Sequence, residues 1–320
     1  MNFEAYKRTC RELLASERGA RLVRLDCMNP PKALSALAPA LPEQPPARDA
    51  RELERVWREA FSLPGSGPEA RVLLGRGVRD LLRALFEHFA REGRVLHAPS
   101  DVYPVYHSLA AGAGLAVHPF PTCPAPEFPA QAPQASPEVL LVPEPLVPLG
   151  RFLSDAEVLK LEAWLGADPR RLVVLDAVYT FAPRFSAATE RLLRTGQALL
   201  VHSLAKGHLT PDLAGFALVP SEVARAAQAP PLEASALRQA CFLLEHHAGL
   251  PARVQARFEE QWGRVREKLG PLPFELPRTG YFTTSPLGFE ELLLRGWLAV
   301  PGSVFGPPQA RWSAVTCLLG

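Results

Sequence analysis

The middle of the chain carries short runs of consecutive apolar residues, each about as long as a β-strand. The run 172–175 (LVVL), for example, is apolar at every position and does not alternate with polar residues. A strand of this kind has both faces buried, which is typical of a parallel sheet covered by helices. The runs predicted to be strands are 95–98, 115–120, 139–142, 172–175, 199–201 and 216–219.

Segments with apolar residues at helical spacing lie between these runs. Over 78–91 the apolar residues recur three or four positions apart, and Ser154 with Glu157 three residues later forms a capping box that opens another helix. Further helices are predicted at 187–193 and 222–227. The alternation predicts an α/β fold with a mostly parallel central sheet flanked by helices, in which ligands bind beyond the carboxyl ends of the strands.

The pattern changes after about residue 220. A long, charged helical stretch covers 232–269, followed by a strand-like YFTT, a short helix near 290–294 and a strand-like run from 311. This order is typical of a second, smaller α+β domain. The predicted domains are a large one at 50–220 and a small C-terminal one at 221–320, with 1–49 as an N-terminal segment that joins the small domain.

Composition and charge limit the partners. The net charge is +2 over 320 residues, so the chain lacks the electrostatic footprint of a protein that binds nucleic acid or an acidic membrane surface. The five cysteines are scattered without a CxxC pair, which argues against a zinc site or a disulfide framework. No run approaches the roughly 20 apolar residues of a membrane span, and the N-terminus has no apolar signal region. We therefore expect a cytoplasmic protein with no metal, nucleic-acid or membrane partner.

Several residues carry candidate chemistry, although each has an ordinary structural explanation when taken alone. Lys206 follows the apolar run LLVHS, and Asp176 ends the run RLVVLD. Gly75 and Gly77 open a helix, where backbone N–H groups can hold a phosphate. Tyr103 lies in SDVYPVY. Taken singly, they could be a surface lysine, a capping carboxylate, a turn and a packed tyrosine. Their order along the chain therefore has to decide whether they form a site.

That order is specific. It runs from a glycine turn through YPVY, a Pro-rich loop ending in PLG, a strand ending in DAVY and a strand ending in SLAK to RWS near the end. In this order the sequence resembles the class I and II aminotransferases, which have the aspartate aminotransferase-like fold (fold type I), and most closely their histidinol-phosphate aminotransferase-like branch. The resemblance covers most of the chain, from VRLDCMNPP, which is similar to the LNxNENP segment of that branch, to RWSAV. It implies pyridoxal 5'-phosphate as the cofactor.

The resemblance also implies roles for residues around the cofactor ring. Lys206 would form an imine with the cofactor aldehyde and move the substrate α-proton. Asp176 would keep the pyridine nitrogen protonated, so that the ring acts as an electron sink. Tyr179, in DAVY, would hydrogen-bond the ring hydroxyl, and Tyr103 would stack on the ring.

Other residues are implied to bind the phosphate and the substrate. A phosphate is held by backbone N–H groups at a helix N-terminus together with a hydroxyl. The residues implied for it are Gly77, Val78, Arg79 and Ser203. A substrate carboxylate is best held by a bidentate guanidinium, and Arg311 of RWS matches that position. Asn29, in the MNPP segment, is implied as a second substrate-binding residue.

The sequence departs from the aminotransferase pattern at three cofactor contacts. Leu213 or Ala214 stands where the family has an arginine that pairs with the phosphate, and Val147 replaces the asparagine of the NNPTG loop. The tyrosine that a partner subunit donates, expected at 43–47, is also missing. We expect cofactor affinity to be lower as a result. The candidates for the missing positive charge are Arg76, Arg79 and His208.

The favoured function is a transferase that moves an amino group between an amino acid and a 2-oxo acid, acting as a homodimer. A PLP-dependent decarboxylase or lyase of the same fold, similar to threonine-phosphate decarboxylase, would use the same residues. A non-catalytic protein that keeps the fold is the third alternative. The retained set of Lys206, Asp176, Tyr179 and Ser203 argues against it, because decay would not spare these residues selectively.

Overall fold

The computed structural model describes residues 2–17, 19–63, 70–102, 104–132, 135–306 and 310–318. The strands are β1 (Val23–Arg24), β2 (Ala70–Gly75), β3 (Val95–Pro99), β4 (Ala116–Phe120), β5 (Glu138–Pro143), β6 (Leu172–Asp176), β7 (Ala198–Ser203), β8 (Gly215–Pro220), β9 (Phe282–Ser285), β10 (Trp297–Leu298), β11 (Val300–Pro301) and β12 (Ser313–Thr316). The α-helices are α1 (Phe3–Leu14), α2 (Pro30–Ala33), α3 (Ala50–Ala60), α4 (Val78–Arg91), α5 (Val105–Gly112), α6 (Asp155–Gly166), α7 (Ala187–Leu193), α8 (Leu204–Gly207), α9 (Ser221–Ala226), α10 (Ala234–His246), α11 (Leu250–Leu269) and α12 (Phe289–Leu294).

The large sheet has the strand order β2-β8-β7-β6-β5-β3-β4. Strands β7, β6, β5, β3 and β4 run parallel, whereas β8 is antiparallel to both of its neighbours, β2 and β7. The prediction of a mostly parallel sheet is confirmed, and each of the predicted strands is present. The pattern does not predict β2, because its ARVLLG run contains the charged Arg71 and leads directly into a glycine turn.

Alternate residues of the central strands face two apolar layers. In β6, Val173 and Leu175 belong to the layer formed with α3, α6, α7 and α10, and Val174 belongs to the layer formed with α4, α5 and α9. All three side chains are fully buried. Burial on both faces is the reason why the strand is apolar at every position. The capping box that opens α6 is also confirmed, since the Ser154 N–H donates to Glu157 Oε2 at 2.7 Å.

A smaller sheet, with the order β11-β12-β9, is antiparallel and lies in the C-terminal part of the chain. Helix α11 packs on it with one apolar face. The buried positions of that face are Leu250, Val254, Phe258, Trp262 and Val265. The stretch 232–269 forms two helices, because α10 ends at His246 and α11 starts after Gly249, with Pro251 in its first turn.

The N-terminal segment packs with the C-terminal part of the chain. Strand β1 pairs in parallel with β10, and the Leu25 N–H donates to the Leu298 carbonyl at 2.8 Å. Helix α1 packs on α12, where the rings of Tyr6 and Phe289 meet edge to face at 6.2 Å. Beyond residue 220, however, α10 packs against α3 beside the large sheet. The domain limits at 49 and 220 therefore stay a prediction.

Two structural features are absent from the described residues. No helix among them is both long enough and apolar enough to cross a membrane. They also contain no group of three or more His, Cys, Asp and Glu side chains arranged to hold a metal ion.

Candidate active site

A cavity of about 560 Å³ opens at the carboxyl edge of the large sheet. Pro143 at the end of β5 pairs with Asp176 at the end of β6, and Lys206 follows β7 in the one-turn helix α8. The opposite wall comes from the N-terminal segment and from the C-terminal part of the chain. The residues that line the cavity are Phe3, Met28, Asn29, Val78, Arg79, Leu82, Val102, Val105, Tyr106, Pro143, Val147, Pro148, Asp176, Val178, Tyr179, Lys206, Phe282 and Phe305.

Asp176 is a buried carboxylate with two hydrogen-bond donors. The hydroxyl of Tyr106 donates to Asp176 Oδ2 at 2.7 Å, and the Val178 N–H donates to Oδ1 at 3.1 Å. Burial raises the pKa of Asp176 to about 6, while both hydrogen bonds act to lower it. The carboxylate form therefore predominates at pH 7, where it can hold a cationic N–H group in the cavity.

Lys206 is half-buried and faces the same cavity. Desolvation, followed by the positive charge of Arg79, lowers the pKa of Lys206 below the usual value of a lysine. Both causes disfavour the ammonium form, so a larger fraction of the side chain is a neutral amine. A neutral amine is the form that attacks a carbonyl or accepts a proton. Its Nζ lies 5.9 Å from the centre of the Tyr179 ring.

Tyr179 links the sheet edge to the rest of the cavity wall. It follows β6, and its ring packs against the rings of Tyr281 and Phe282, each with a centroid distance of 6.0 Å. Tyr281 is buried, and its hydroxyl donates to the Met28 carbonyl at 3.2 Å. This chain of contacts holds the segment with Met28 and Asn29 over the cavity.

Helix α4 begins at the edge of the cavity, where the backbones of Gly77 and Gly215 approach closely. A Cβ on Gly215 of β8 would lie 2.7 Å from the carbonyl carbon of Gly77, so this position in the strand has no room for a side chain. Gly77 caps α4, and the next two residues, Val78 and Arg79, line the cavity. A helix N-terminus, which favours anions, and the guanidinium of Arg79 therefore both lie near Lys206.

The structure brings most of the residues chosen from sequence to one place. Six of them line the cavity: Lys206, Asp176, Tyr179, Val78, Arg79 and Asn29. Gly77 adjoins it, and Ser203 is buried at the end of β7, where it precedes α8. Arg311 is exposed, with its carbonyl next to Gly288, and it is not among the residues that line the cavity. Its role as a carboxylate ligand stays a prediction, and Tyr103 lies outside the described residues.

Sequence reasoning missed the hydroxyl that donates to Asp176. Tyr106 stands three residues after Tyr103 in the sequence, but the sequence does not show which strand end the Tyr106 hydroxyl faces. The apolar wall was missed too. Phe3, Met28 and Phe305 come from segments whose approach to the sheet leaves no local signal.

Solved aminotransferase structures superpose on almost the whole chain. YbdL from Escherichia coli, for which a methionine aminotransferase function was identified, has a TM-score of 0.71 at 15% identity, covering 99% of this chain and 92% of its own. A double mutant of Thermus thermophilus aspartate aminotransferase has a TM-score of 0.72 at 20% identity, covering 99% of this chain and 92% of its own. The aminotransferase AspB from Helicobacter pylori has a TM-score of 0.72 at 15% identity, covering 98% and 93%. No family model and no curated protein sequence matches the chain.

The chain has the fold of the class I/II aminotransferases. The prediction of fold type I is thereby confirmed. Several aminotransferases of different names match with similar TM-scores, so the histidinol-phosphate branch stays a prediction.

Two of the departures from the aminotransferase pattern have a clear place in this fold. Ala214, at or next to the position of the family arginine, is buried in the apolar layer beside α3 and supplies no charge. Val147, which replaces the asparagine, lines the cavity with an apolar side chain. The polar contacts on this side of the cavity are therefore fewer than the pattern requires.

Proposed function

We propose that this chain is a pyridoxal-phosphate-dependent aminotransferase that acts on amino-acid substrates. One observation carries the proposal. The buried carboxylate of Asp176 ends β6, and Lys206, whose pKa is lowered, follows the adjacent parallel strand β7; both line one cavity. This fold and this pair of groups are what an aldehyde cofactor with a pyridine ring requires.

The residues of the cavity fit the cofactor by the chemistry of their groups. Lys206 offers an amine to the aldehyde, and Asp176 offers a carboxylate to the ring nitrogen. The start of α4 and Arg79 offer N–H donors and positive charge to the phosphate. When bound, pyridoxal phosphate supplies an aldehyde that joins to amines and a ring that takes up electrons from the substrate Cα.

The chain's own groups have defined tasks in this proposal. The Nζ of Lys206 takes the proton from the substrate Cα and returns it during transfer, which requires its neutral form. The Tyr106 hydroxyl and the Val178 N–H hold Asp176 as a carboxylate in a fixed orientation. The aromatic side chains Phe282 and Phe305 also line the cavity, where apolar surroundings strengthen these electrostatic contacts.

The apolar wall supports a preference among substrates. Phe3, Met28 and Phe305 line the cavity on the side away from the sheet. Among the described residues, Arg79 and Lys206 are the cationic side chains that line it. Both cations, like Asp176, are assigned to the cofactor, so a charged substrate side chain would lose its hydration there without a partner, which is unfavourable. We therefore expect amino acids with apolar side chains to react faster than acidic or basic ones.

The decisive experiment is a spectral screen of the purified protein with cofactor against amino acids, with product analysis by mass spectrometry. We expect the yellow absorbance of the bound cofactor, its loss on addition of an apolar amino acid, and the matching 2-oxo acid as product. An amine with release of carbon dioxide, or an elimination product, would instead indicate the decarboxylase or lyase alternative. A protein that stays colourless with excess cofactor would contradict the proposal.

Tyr106→Phe is expected to move the acid limb of the pH–rate profile upward. The hydroxyl stabilises the ionised form of Asp176, so its removal raises the pKa of that carboxylate above about 6. Activity is lost as the pH falls through that pKa, because a protonated Asp176 cannot hold the ring proton. Hydrogen bonds to charged groups contribute about 1.5–3 kcal/mol and one pKa unit is about 1.4 kcal/mol, so a shift of about one to two pH units is expected.

The pH dependence of kcat/KM measures this shift, and Tyr6→Phe is the matched control. Tyr6 is also a buried tyrosine whose hydroxyl contacts a carboxylate, that of Asp26, but it does not line the cavity. The Tyr6 variant should keep the profile of the parent protein. An unchanged acid limb in the Tyr106 variant would show that this hydroxyl does not control Asp176.

The resemblance supports a homodimer as the active form, because family members complete each site with residues of a partner subunit. We expect light scattering to give twice the 34.9 kDa mass of one chain over a wide concentration range. A monomeric mass at every concentration, in a protein that is active, would contradict this expectation.

A further inference from the structure

The proposed function leaves the cofactor phosphate without the arginine that other aminotransferases use. A phosphate carries close to two negative charges at neutral pH and binds best to a guanidinium with N–H donors in a fixed fork. Ala214, at or next to the family position, is only 1% exposed and lies in an apolar layer. The positive charge must therefore come from another element, and the sequence offers Arg76, Arg79 and His208.

His208 does not supply this charge. It is 1% exposed, and its ring packs near the ring of Phe61. Burial lowers the pKa of His208 to about 4, with a smaller contribution from His247. The imidazole is therefore neutral at pH 7. It also does not line the cavity.

Arg76 is engaged elsewhere. Its Nε donates to Asp80 Oδ2 at 3.1 Å, and its side chain is 62% exposed. It is not among the residues that line the cavity. This ion pair has a second consequence, since it occupies the carboxylate of Asp80, the acidic residue nearest to Arg79 along α4.

Arg79 meets the requirements that the other two fail. It is the second residue of α4, and it lines the cavity with Lys206, Asp176 and Tyr179. Its charge acts on Lys206, whose pKa it lowers, so the two cations share one electrostatic environment. It forms no ion pair with any of the described residues. An unpaired guanidinium beside an amine is unfavourable unless an anion joins them.

We propose that Arg79 is the guanidinium that binds the cofactor phosphate, in place of the arginine that the family carries near position 214. This inference rests on the proposed function. It moves the positive charge from the start of β8 to the first turn of α4, where the helix N-terminus already favours an anion. Phosphate recognition is then concentrated on one element, and the close approach of Gly77 to Gly215 fixes the position of that element.

The test compares two ligands that differ only in the phosphate. Dissociation constants for pyridoxal phosphate and for pyridoxal are measured by absorbance titration on the parent protein, Arg79→Gln and Arg83→Gln. Arg83 is the matched control, because it is exposed on the same helix one turn further on and does not line the cavity. Removal of Arg79 also removes a charge that lowers the pKa of Lys206, and this change affects both ligands. The ratio of the dissociation constants of pyridoxal phosphate and pyridoxal therefore isolates the contribution of the phosphate.

We expect Arg79→Gln to weaken pyridoxal phosphate binding by about ten- to a hundred-fold relative to pyridoxal, the usual effect of losing one charged hydrogen-bond partner. Arg83→Gln should leave the ratio unchanged, and Arg79→Lys should restore part of the loss because it keeps the charge. Equal weakening of both ligands, or no weakening of either, would overturn the assignment of Arg79 and leave the proposed function intact. A parent protein that binds neither ligand would overturn the proposed function and this inference with it.

Discussion

Lys206→Ala is expected to abolish covalent attachment of pyridoxal phosphate and to lower turnover by about 10²–10⁴-fold or more. This range is what one positioned acid–base group contributes, and the loss of covalent attachment adds to it. Among the lysines that the structure describes, only Lys206 lines the cavity, and its lowered pKa favours the amine form that attacks the aldehyde. The measurement is the visible spectrum after addition of cofactor, followed by borohydride reduction and mass spectrometry of the labelled peptide.

Two variants serve as controls for this result. Lys206→Arg keeps a positive charge but cannot join to the aldehyde, so it should stay colourless like the alanine variant. Lys160→Ala removes an exposed lysine from α6 and should retain both colour and activity. Thermal unfolding of the Lys206→Ala protein should show a folded chain, because the change removes a partly desolvated cation. A yellow Lys206 variant with the label on another lysine would show that the site is wrongly assigned.

Asp176→Asn is expected to keep the yellow colour and to lose about 10²–10³-fold in kcat, the usual effect of removing one preorganised electrostatic contact. The amide has the shape of the carboxylate and can still accept the hydrogen bond from Tyr106, whose Oη lies 2.7 Å from Oδ2. A neutral amide cannot hold the proton on the pyridine nitrogen, so the ring takes up electrons less well. Lys206→Ala and Asp176→Asn should therefore separate the attachment of the cofactor from its function in the reaction.

The matched control for this variant is Asp168→Asn. Asp168 is also buried and accepts hydrogen bonds from Arg170, but it lies just before the start of β6, at the opposite edge of the sheet. Its variant should keep nearly full activity if it folds, which circular dichroism checks. Full activity in Asp176→Asn would mean that the ring nitrogen needs no carboxylate, and the proposed arrangement of the cofactor would then be wrong.

The proposed chemistry depends on both Asp176 at the end of β6 and Lys206 after β7. Burial raises the pKa of Asp176 and lowers that of Lys206, so each is moved toward its neutral form. Tyr106 and Val178 counteract this effect at Asp176 only, so Asp176 remains a carboxylate at pH 7 while Lys206 holds its proton less tightly than an ordinary lysine. The two groups therefore line one cavity with separate tasks, Asp176 toward the ring nitrogen and Lys206 toward the aldehyde.

The layered fold and the ends of its strands follow from local patterns in the sequence. Strands such as β5, β6 and β7 are buried on both faces, so their apolar runs are continuous and visible locally. A polar residue that ends such a run must lie at the edge of the sheet, which is why Asp176 and the segment with Lys206 were found. The helix start at Gly77 was visible for the same kind of local reason, because glycines and the apolar period mark it.

The distant side chains that complete the cavity are brought there by tertiary packing, which local patterns do not encode. The contact of Tyr106 with Asp176 joins residues 70 positions apart, and it depends on how α5 lies against the sheet. Phe3 and Phe305 enter the cavity through the packing of the N-terminal and C-terminal segments on each other, which no local period encodes. The sequence likewise does not show which of Arg76, Arg79 and His208 can bind the phosphate. In the structure Arg76 forms an ion pair, Arg79 lines the cavity and His208 is buried. The direction and solvation of each side chain follow from its neighbours in space.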